Sequence, residues 1–377
     1  MRVGIIGGGQ LGRMLALAGH ELGVECTTVD PAPASPAAAV APAIVGGYDD
    51  LGALADLAAF ADVITYEFEN VPVEAARFAE GLVPVLPPPG ALEAAQDRLV
   101  EKELFTRTGL AVPPFAPVDS PASLTDALAR VGTPAVLKTR RLGYDGKGQA
   151  VIHDALLALD AWRSLGEVPC LLEAFVEFDR ELSIVAARGS DGATVAYPLV
   201  ENHHRDGILR VTRAPAPDVD SAMQREAEAR ADAVLAELSY VGVLAIELFE
   251  VGGSLLGNEM APRVHNSGHW TIEGAETSQF ENHLRAVCGL PLGPAEPVGV
   301  SAMVNLIGAM PDAAGVMAVP GAHLHDYGKD PRPGRKLGHV TVTAAGEAEL
   351  EERLDEVSRL VEGPSAAHGV DAMGRGT

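Results

Sequence analysis

The segment Asn258-Glu259-Met260-Ala261-Pro262-Arg263-Val264-His265-Asn266-Ser267-Gly268-His269-Trp270 follows two apolar, strand-like runs at 241–249 and 254–256. Gly252-Gly253 separates the runs, and a glycine pair between strands is typical of a tight hairpin turn. The sequence therefore predicts a hairpin that leads directly into this segment.

One acid in each arm of the hairpin would reach the same face. Glu247 interrupts the first run and Glu259 follows the second, so pairing places both carboxylates on one side. Two carboxylates and the Asn258 carbonyl are oxygen ligands suited to Mg²⁺. The Arg263 guanidinium can bind a planar anion with two parallel N–H donors, and His265 is a candidate to accept or donate a proton. A solvated hairpin with surface charges is the weaker alternative, because a buried Glu247 needs a partner.

Length and composition indicate a globular protein of two or three domains. The chain has 377 residues, 47% of them hydrophobic, with a mean hydropathy of +0.14. No apolar run reaches the length of a membrane span. The net charge of −24 argues against nucleic acid as a partner. Cys26, Cys170 and Cys288 lie far apart in or beside apolar segments, and we expect reduced thiols in a cytoplasmic protein.

The first ninety residues predict a small α/β unit. Gly7, Gly9 and Gly12 fit G-x-G-x-x-G after a strand, and Asp30 follows at dinucleotide-binding spacing. A tight turn that merely packs, or a site for another anion, explains the glycines equally well. A last strand is expected at 83–86, so the unit is shorter than a full dinucleotide domain.

Two acids follow the predicted strand at 63–66. Glu67 and Glu69 lie at its carboxyl end, which is where open α/β sheets bind ligands. One of the two carboxylates could bind an amine of a ligand, or the segment could be a turn that leads into a helix. A single helix is then expected at 91–108, and its charged residues, Arg98 and Lys102 among them, are weak signals because such residues are usually solvated.

A glycine-rich loop at 143–149 lies between two strand-like runs. Lys138 ends the first strand and Lys147 lies within the loop. Glycine amides and lysine charges suit a flap over phosphates, although the loop is not a P-loop because no G-x-x-x-x-G-K-[ST] precedes a helix. An ordinary hairpin with a basic tip is the poorer interpretation in so acidic a chain.

Further polar groups suit a nucleotide. The backbone at 173–176 is placed to hydrogen-bond a purine base, and Glu181 to hold ribose hydroxyls. His203 and His204 do not predict zinc, since neighbours on an extended chain point to opposite faces and no second pair has zinc spacing. The densest basic cluster, at 327–339, suits a phosphate monoester, with a solvent-exposed loop as the alternative.

The order of these motifs resembles the ATP-grasp ligases, and within them the N5-carboxyaminoimidazole ribonucleotide synthase family of de novo purine synthesis. The resemblance spans nearly the whole chain and is carried by 143–149, 258–270 and the Arg-Pro-Gly-Arg-Lys turn at 332–336. It implies an ATP-grasp fold of mixed α/β and α+β class. Three parts are expected: a Rossmann-like pre-ATP-grasp domain at 1–95, an ATP-grasp domain at 96–298 with a flap at about 112–172, and a C-terminal subdomain at 299–377.

The resemblance also implies roles for individual residues. Glu247 and Glu259 would hold Mg²⁺, and the residues at bicarbonate and the amine proton would be Arg263, His265, Asn266 and Asp145. The ribonucleotide would contact Tyr144, Asp145, Lys147, Lys329, Arg335 and Lys336. ATP would contact Arg98, Lys138, Gly143, Tyr144, Asp145, Gly146, Lys147, Gly148, Gln149, Glu173, Ala174, Phe175, Val176, Glu181, His204, Asn258 and Glu259.

The implied reaction carboxylates 5-aminoimidazole ribonucleotide with ATP and bicarbonate through carboxyphosphate, in a homodimer. Three rivals remain: a NAD-dependent oxidoreductase, a formate-dependent glycinamide ribonucleotide transformylase, and a non-catalytic nucleotide-binding subunit. The first leaves the acidic pair and the basic turn unexplained. The third is disfavoured because Lys138, Glu247, Glu259 and Arg263 are all present.

Overall fold

A computed structural model describes residues 1–143 and 147–362. The predicted site residues Tyr144, Asp145 and Gly146 lie outside the described residues. The strands are β1 (Arg2–Ile6), β2 (Glu25–Asp30), β3 (Ala43–Val45), β4 (Val63–Tyr66), β5 (Phe115–Val118), β6 (Ala135–Thr139), β7 (Gln149–Ile152), β8 (Cys170–Ala174), β9 (Arg180–Arg188), β10 (Thr194–Ala196), β11 (Val200–Arg205), β12 (Ile208–Ala214), β13 (Gly242–Val251), β14 (Ser254–Ala261), β15 (Val300–Ile307), β16 (Ala322–Asp326) and β17 (Lys336–Ala344).

The helices alternate with these strands in the first third of the chain and lie between strand groups later. They are α1 (Gln10–Glu21), α2 (Leu51–Phe60), α3 (Val73–Glu80), α4 (Pro89–Ala95), α5 (Arg98–Arg107), α6 (Pro121–Val131), α7 (Ala158–Ser164), α8 (Ser221–Glu237), α9 (Thr271–Gly274), α10 (Gln279–Val287), α11 (Ala313–Ala318) and α12 (Glu347–Glu362). Short 3₁₀ helices cover Pro36–Ala39, Ala155–Leu157 and Asn266–Gly268.

The amino-terminal unit is a parallel sheet in the order β3-β2-β1-β4. β1 and β4 are apolar and almost wholly buried, as expected of strands covered on both faces. The strand expected at 83–86 is shorter than predicted, since its pairing with β4 is the single bridge Ile64–Val85. Two hydrogen bonds of 2.8 Å make up this bridge, from the Ile64 N–H to Pro84 O and from the Leu86 N–H to Ile64 O.

The helix predicted at 91–108 is two helices. α4 ends at Ala95, and α5 begins after Asp97, whose carboxylate accepts a hydrogen bond from the Leu99 N–H. Asp97 also accepts two hydrogen bonds from Arg140 at 2.9 and 2.7 Å. Because Asp favours helix starts over helix interiors, the break is an N-cap that also fastens α5 to the loop after β6.

A small antiparallel sheet in the order β5-β8-β6-β7 follows, with α6 and α7 packed on it. β6 and β7 are antiparallel neighbours, and the glycine-rich segment that the sequence places over phosphates connects them along the chain.

The largest sheet runs in the order β14-β13-β9-β11-β12-β15-β17-β16, with β10 paired to β9. The predicted hairpin is confirmed: β13 and β14 are antiparallel, and Glu247 lies opposite Glu259. The chain beyond the expected boundary at 298 continues this sheet, because β12 pairs with β15 over Val211–Ala214 and Ser301–Val304. The hairpin that carries Glu247 and Glu259 and the turn between β16 and β17 thus belong to one hydrogen-bonded sheet.

The interior beneath this sheet is filled by apolar and aromatic side chains. Trp270, from the carboxyl end of the central segment, is completely buried and meets Tyr197 edge to face at 6.3 Å between ring centroids. Within the described residues, every helix is too short or too polar to traverse a bilayer.

Candidate active site

The paired carboxylates of β13 and β14 form the centre of the site. Burial, and then the neighbouring Glu259, raise the pKa of Glu247 to about 7. Burial also acts to raise the pKa of Glu259, but Arg98, at 2.9 Å from its carboxylate, lowers it overall. Two acids in one buried place repel each other until a cation joins them.

The donor set fits magnesium better than a metal held wholly by protein. Within 1–143 and 147–362, no cluster of three or more His, Cys, Asp or Glu side chains has the arrangement of a closed metal site. Mg²⁺ commonly takes one or two carboxylates and completes its shell with water and substrate phosphates. Glu247 and Glu259 supply that number, and Asn258 lines the same cavity.

Charged residues of α5 run beside these acids and are not solvated as a linking helix would suggest. Arg98 pairs with Glu259, and the Glu101 carboxylate accepts a hydrogen bond of 2.6 Å from the Met260 N–H. Lys102 is 1% exposed and donates to the Gly257 carbonyl at 3.0 Å. Taken alone these residues were weak signals in the sequence, because charges on a linking helix are usually solvated, whereas α5 packs against β14.

Lys138 projects from β6 toward the same acids. Its ammonium lies 2.5 Å from Glu173 on the adjacent strand β8, and Lys102 lies 3.0 Å from the other Glu173 oxygen. Burial alone would raise the pKa of Glu173, but the two lysines lower it to about 2. The Lys138 side chain is 12% exposed, and it forms part of the lining of the cavity described below.

The predicted purine hinge at 173–176 begins at the end of β8, the strand that pairs with the Lys138 strand β6. The Ala174 N–H donates to Pro114 O at 2.9 Å and the Phe175 N–H to Pro134 O at 3.1 Å. An adenine contact through either amide would compete with these bonds. Glu181 and His204, predicted at the nucleotide, meet through a hydrogen bond of 2.6 Å.

Arg263, His265 and Asn266 lie past the end of β14, and each is held by a second side chain. Arg263 donates to the Glu69 carboxylate, and Asn266 exchanges two amide hydrogen bonds with Asn305 at 3.0 and 2.7 Å. His265 contacts the Ser267 hydroxyl at 2.9 Å and lies 3.4 Å from Glu247. Burial, followed by the charge of Arg263, lowers the pKa of His265 to about 3, so its imidazole is neutral near pH 7.

The basic cluster forms the loop between β16 and β17. Lys329 donates to the Gln10 side chain at the start of α1, and its ammonium lies 5.8 Å from the Tyr327 ring centroid. Burial lowers the pKa of Lys329 to about 8. Arg335 donates to the Asp330 carbonyl at 3.0 Å, which shapes the loop.

The backbone N–H groups of the amino-terminal glycines donate hydrogen bonds to acidic side chains of the protein itself. Glu67 accepts hydrogen bonds from the Gly9 and Gly12 N–H groups, the second at 2.6 Å, and Asp30 accepts one from Gly8 at 2.9 Å. A carboxylate therefore occupies the position that a pyrophosphate takes in dinucleotide enzymes. This occupation removes the main support for the oxidoreductase interpretation.

One cavity of about 350 Å³ joins most of the predicted residues. Its lining includes Arg98, Lys138, Gly143, Lys147, Gln149, Glu181, His204, Glu247, Asn258, Glu259, Arg263, His265, Asn266 and Lys336. Among the described residues, the predicted ones that lie outside this lining are Gly148, Glu173, Ala174, Phe175, Val176, Lys329 and Arg335.

Several lining residues were not assigned from sequence. They are Gln10, Gln96, Glu101, His269 and Tyr327, together with Glu69, which sequence offered only as one of two possible amine partners. The signal was present for Glu69, since it follows a buried strand. Gln10 occupies an unspecified position of the G-x-G-x-x-G pattern, so the pattern gives no signal for it.

Three known domain families match this chain in order. Residues 1–96 match the ribonucleotide synthetase preATP-grasp domain, 103–280 the ATP-grasp domain, and 301–353 the phosphoribosylaminoimidazole carboxylase C-terminal domain. The N5-carboxyaminoimidazole ribonucleotide synthase of Pseudomonas aeruginosa is 53% identical over 362 residues, covering 96% of this chain and 100% of the relative. The chain belongs to the N5-carboxyaminoimidazole ribonucleotide synthase family.

Solved structures of this family show the same fold. The synthetase from Thermus thermophilus superposes with a TM-score of 0.93 at 57% identity, over 96% of this chain and 99% of that one. The synthase from Aspergillus clavatus, solved in complex with ADP and 5-aminoimidazole ribonucleotide, gives a TM-score of 0.89 at 32% identity over 96% and 98% of the two chains. The family's ATP-grasp fold, with its preATP-grasp and C-terminal parts, is therefore the fold of this chain.

Proposed function

We propose that the protein carboxylates 5-aminoimidazole ribonucleotide at its exocyclic amine, using ATP and bicarbonate. The observation that carries this function is the cavity that the acidic pair shares with phosphate-type cations, Arg98 and Lys138, and with an anion-binding group, Arg263, His265 and Asn266. Arg98 lies 2.9 Å from Glu259, and His265 lies 3.4 Å from Glu247. A phosphoryl donor and a small planar anion would meet in this cavity.

The first step is attack of a bicarbonate oxygen on the γ-phosphorus of ATP. A P–O bond forms, the bond to the β-phosphate oxygen breaks, and ADP leaves with that electron pair. Arg98 and Lys138 bind the phosphates, and their charges offset the negative charge that develops on the transferring group. When bound by Glu247 and Glu259, Mg²⁺ supplies further charge neutralisation and orients the phosphates.

The anion-binding group orients bicarbonate for this attack. Arg263 presents a planar donor fork, and its pair with Glu69 fixes the direction of the guanidinium. The reciprocal amide pair with Asn305 fixes Asn266 in the same way. Neutral His265 supports the anion through hydrogen bonding rather than charge. Positioning of this kind supplies much of the rate of a phosphoryl transfer.

The second step moves the carboxyl group of carboxyphosphate, or CO₂ released from it, to the amine. A C–N bond forms, inorganic phosphate leaves, and the amine loses one proton. Lys329, Arg335 and Lys336 would bind the ribonucleotide phosphate from the loop between β16 and β17. We assign the proton to Asp145 or His265, and the low pKa of His265 favours Asp145. The hairpin tip carrying Gly143 and Lys147 would exclude water from the labile intermediate.

We also propose a cytoplasmic homodimer, as expected for the family. The mass of the particle in solution, measured by light scattering, tests the dimer. A mass of one chain at micromolar concentration would contradict it.

Phosphate release from MgATP, with bicarbonate and 5-aminoimidazole ribonucleotide each present or omitted, tests the reaction. Strong stimulation by the ribonucleotide, together with an acid-labile carboxylated product, is expected. Activity with formate and glycinamide ribonucleotide instead would keep the fold and the nucleotide site but replace the reaction with that of the related transformylase.

A further inference from the structure

Helix α5 is fastened to the metal-bearing strand β14 by three residues of one helical face. Arg98, Glu101 and Lys102 are spaced i, i+3 and i+4, which brings their side chains to the same side. They bond respectively to the Glu259 carboxylate, the Met260 N–H and the Gly257 carbonyl. Three contacts therefore join the helix to the strand, all within residues 257–260 beside the acidic pair.

Lys102 makes a second connection, to the small sheet. Its ammonium lies 3.0 Å from one oxygen of Glu173, while the other oxygen lies 2.5 Å from Lys138. Both Lys102 and Glu173 are almost fully buried, at 1% and 3% exposure. A carboxylate in such a place binds a single cation strongly, since water competes little for either charge.

A phosphate in the cavity competes with Glu173 for the ammonium of Lys138, which lies beside Glu173 and lines the cavity. If Glu173 had Lys138 as its single cation, departure of Lys138 would leave a buried, unpaired anion, which is costly. With Lys102 beside it, Glu173 stays neutralised when Lys138 turns toward the cavity. Lys102 is not part of the cavity lining, so it reaches Lys138 only indirectly, through Glu173.

We infer that Lys102 is a positioning residue that frees Lys138 for the phosphates of the nucleotide by holding the charge of Glu173. The inference rests on the proposed role of Lys138 in binding ATP. It assigns to α5 a function in nucleotide affinity that its place between the two sheets makes possible.

Direct binding of MgATP and of MgADP to purified variants tests the inference. Lys102→Met is expected to weaken MgATP about tenfold, because Lys138 then stays with Glu173, while the KM for the ribonucleotide remains within about twofold of wild type. MgADP, which lacks the γ-phosphate, should lose less affinity. Arg107→Met is the matched control: Arg107 lies on the same helix, pairs with Glu237 at the surface, and should leave both affinities unchanged.

The double variant Lys102→Met/Glu173→Gln separates positioning from general damage. Removing the Glu173 charge releases Lys138, so the double variant should bind MgATP at least about threefold more tightly than Lys102→Met does. A purely structural role for Lys102 predicts that the double variant is at least as poor as the single one, and that result would overturn the inference. Unchanged MgATP affinity in Lys102→Met would overturn it as well.

The inference can be tested even if the Lys102→Met variant does not fold. If Lys102→Met fails to fold, the ratio of MgATP affinity to MgADP affinity is measured in Glu173→Gln and in wild type. The two nucleotides share their adenine and ribose, so the ratio reports the γ-phosphate; it should rise because Lys138 is released, and an unchanged or lower ratio contradicts the inference. Failure of the proposed reaction is distinguishable, because it would appear as absent ribonucleotide-stimulated phosphate release in the unmodified protein, whatever the variants bind.

Discussion

Glu67→Ala is expected to destabilise the amino-terminal unit and to create an anion site there. The carboxylate accepts hydrogen bonds from the Gly9 and Gly12 N–H groups and is 7% exposed. Hydrogen bonds to a charged group contribute about 1.5–3 kcal/mol each, so the two together contribute about 3–6 kcal/mol. Burial raises the pKa of Glu67, so the site carries a desolvation cost that the substitution relieves. We expect a net loss of about 2–4 kcal/mol in the free energy of unfolding.

Thermal melting with and without sulfate measures both parts of this prediction. For a unit of this size the loss corresponds to a fall of about 8–30 °C in the melting midpoint. Sulfate or phosphate should restore much of it, because either anion fits a helix N-terminus with open N–H groups. Sulfate also stabilises proteins generally, so Glu74→Ala is the control. Glu74 has a side chain 85% exposed, and its variant should melt like wild type and gain only the general effect.

The reasoning is refuted if Glu67→Ala melts as wild type does, or if sulfate raises its midpoint no more than it raises that of Glu74→Ala. Either outcome would mean that the carboxylate does not hold the start of α1. The glycine loop would then have to be reconsidered as a site for an external ligand.

Three further predictions concern the proposed substrate and metal contacts. Replacing Arg335 and Lys336 together with Ala should raise the KM for the ribonucleotide about 100-fold and leave MgATP affinity nearly intact; equal losses for both ligands would misplace the phosphate site. Because the pKa of Lys329 is lowered to about 8, its charge is present below that pH and lost above it, so ribonucleotide affinity should fall as pH rises through 8. Lys329→Arg should lose this dependence, and an unchanged pH profile of KM in that variant would assign the titration to another group. Glu247→Gln should raise the Mg²⁺ concentration for half-maximal activity at least about tenfold, which a titration after chelator treatment measures, and a normal Mg²⁺ requirement would remove Glu247 from the metal.

The sequence revealed the hairpin and its acids because both are local features. Glu247 breaks an apolar run, and its opposition to Glu259 follows from strand pairing across a glycine turn. The fold class and the family followed from the order of the motifs. The roles of the described site residues stay predictions, although one cavity contains most of them.

What the sequence did not show depends on contacts between distant segments. Lys102 has the local pattern of a surface lysine, and only the structure shows that it is buried against Gly257 of β14 and Glu173 of β8. Gln10 and Lys329 are joined although 319 residues separate them. The acceptors of the glycine amides were likewise invisible, since Glu67 lies 58 residues beyond Gly9. Periodicity and spacing carry no information about such pairs.

The pairing of β12 with β15 has a consequence for how the chain can be divided. Removing everything after residue 298 would leave β12 as an open edge, with unpaired N–H and C=O groups along Val211–Ala214. Such an edge favours pairing with another chain, so a truncated product would tend to aggregate rather than survive as a smaller ATPase. The same edge offers a use: the two pieces, produced separately, would have a matched strand pair with which to reassemble.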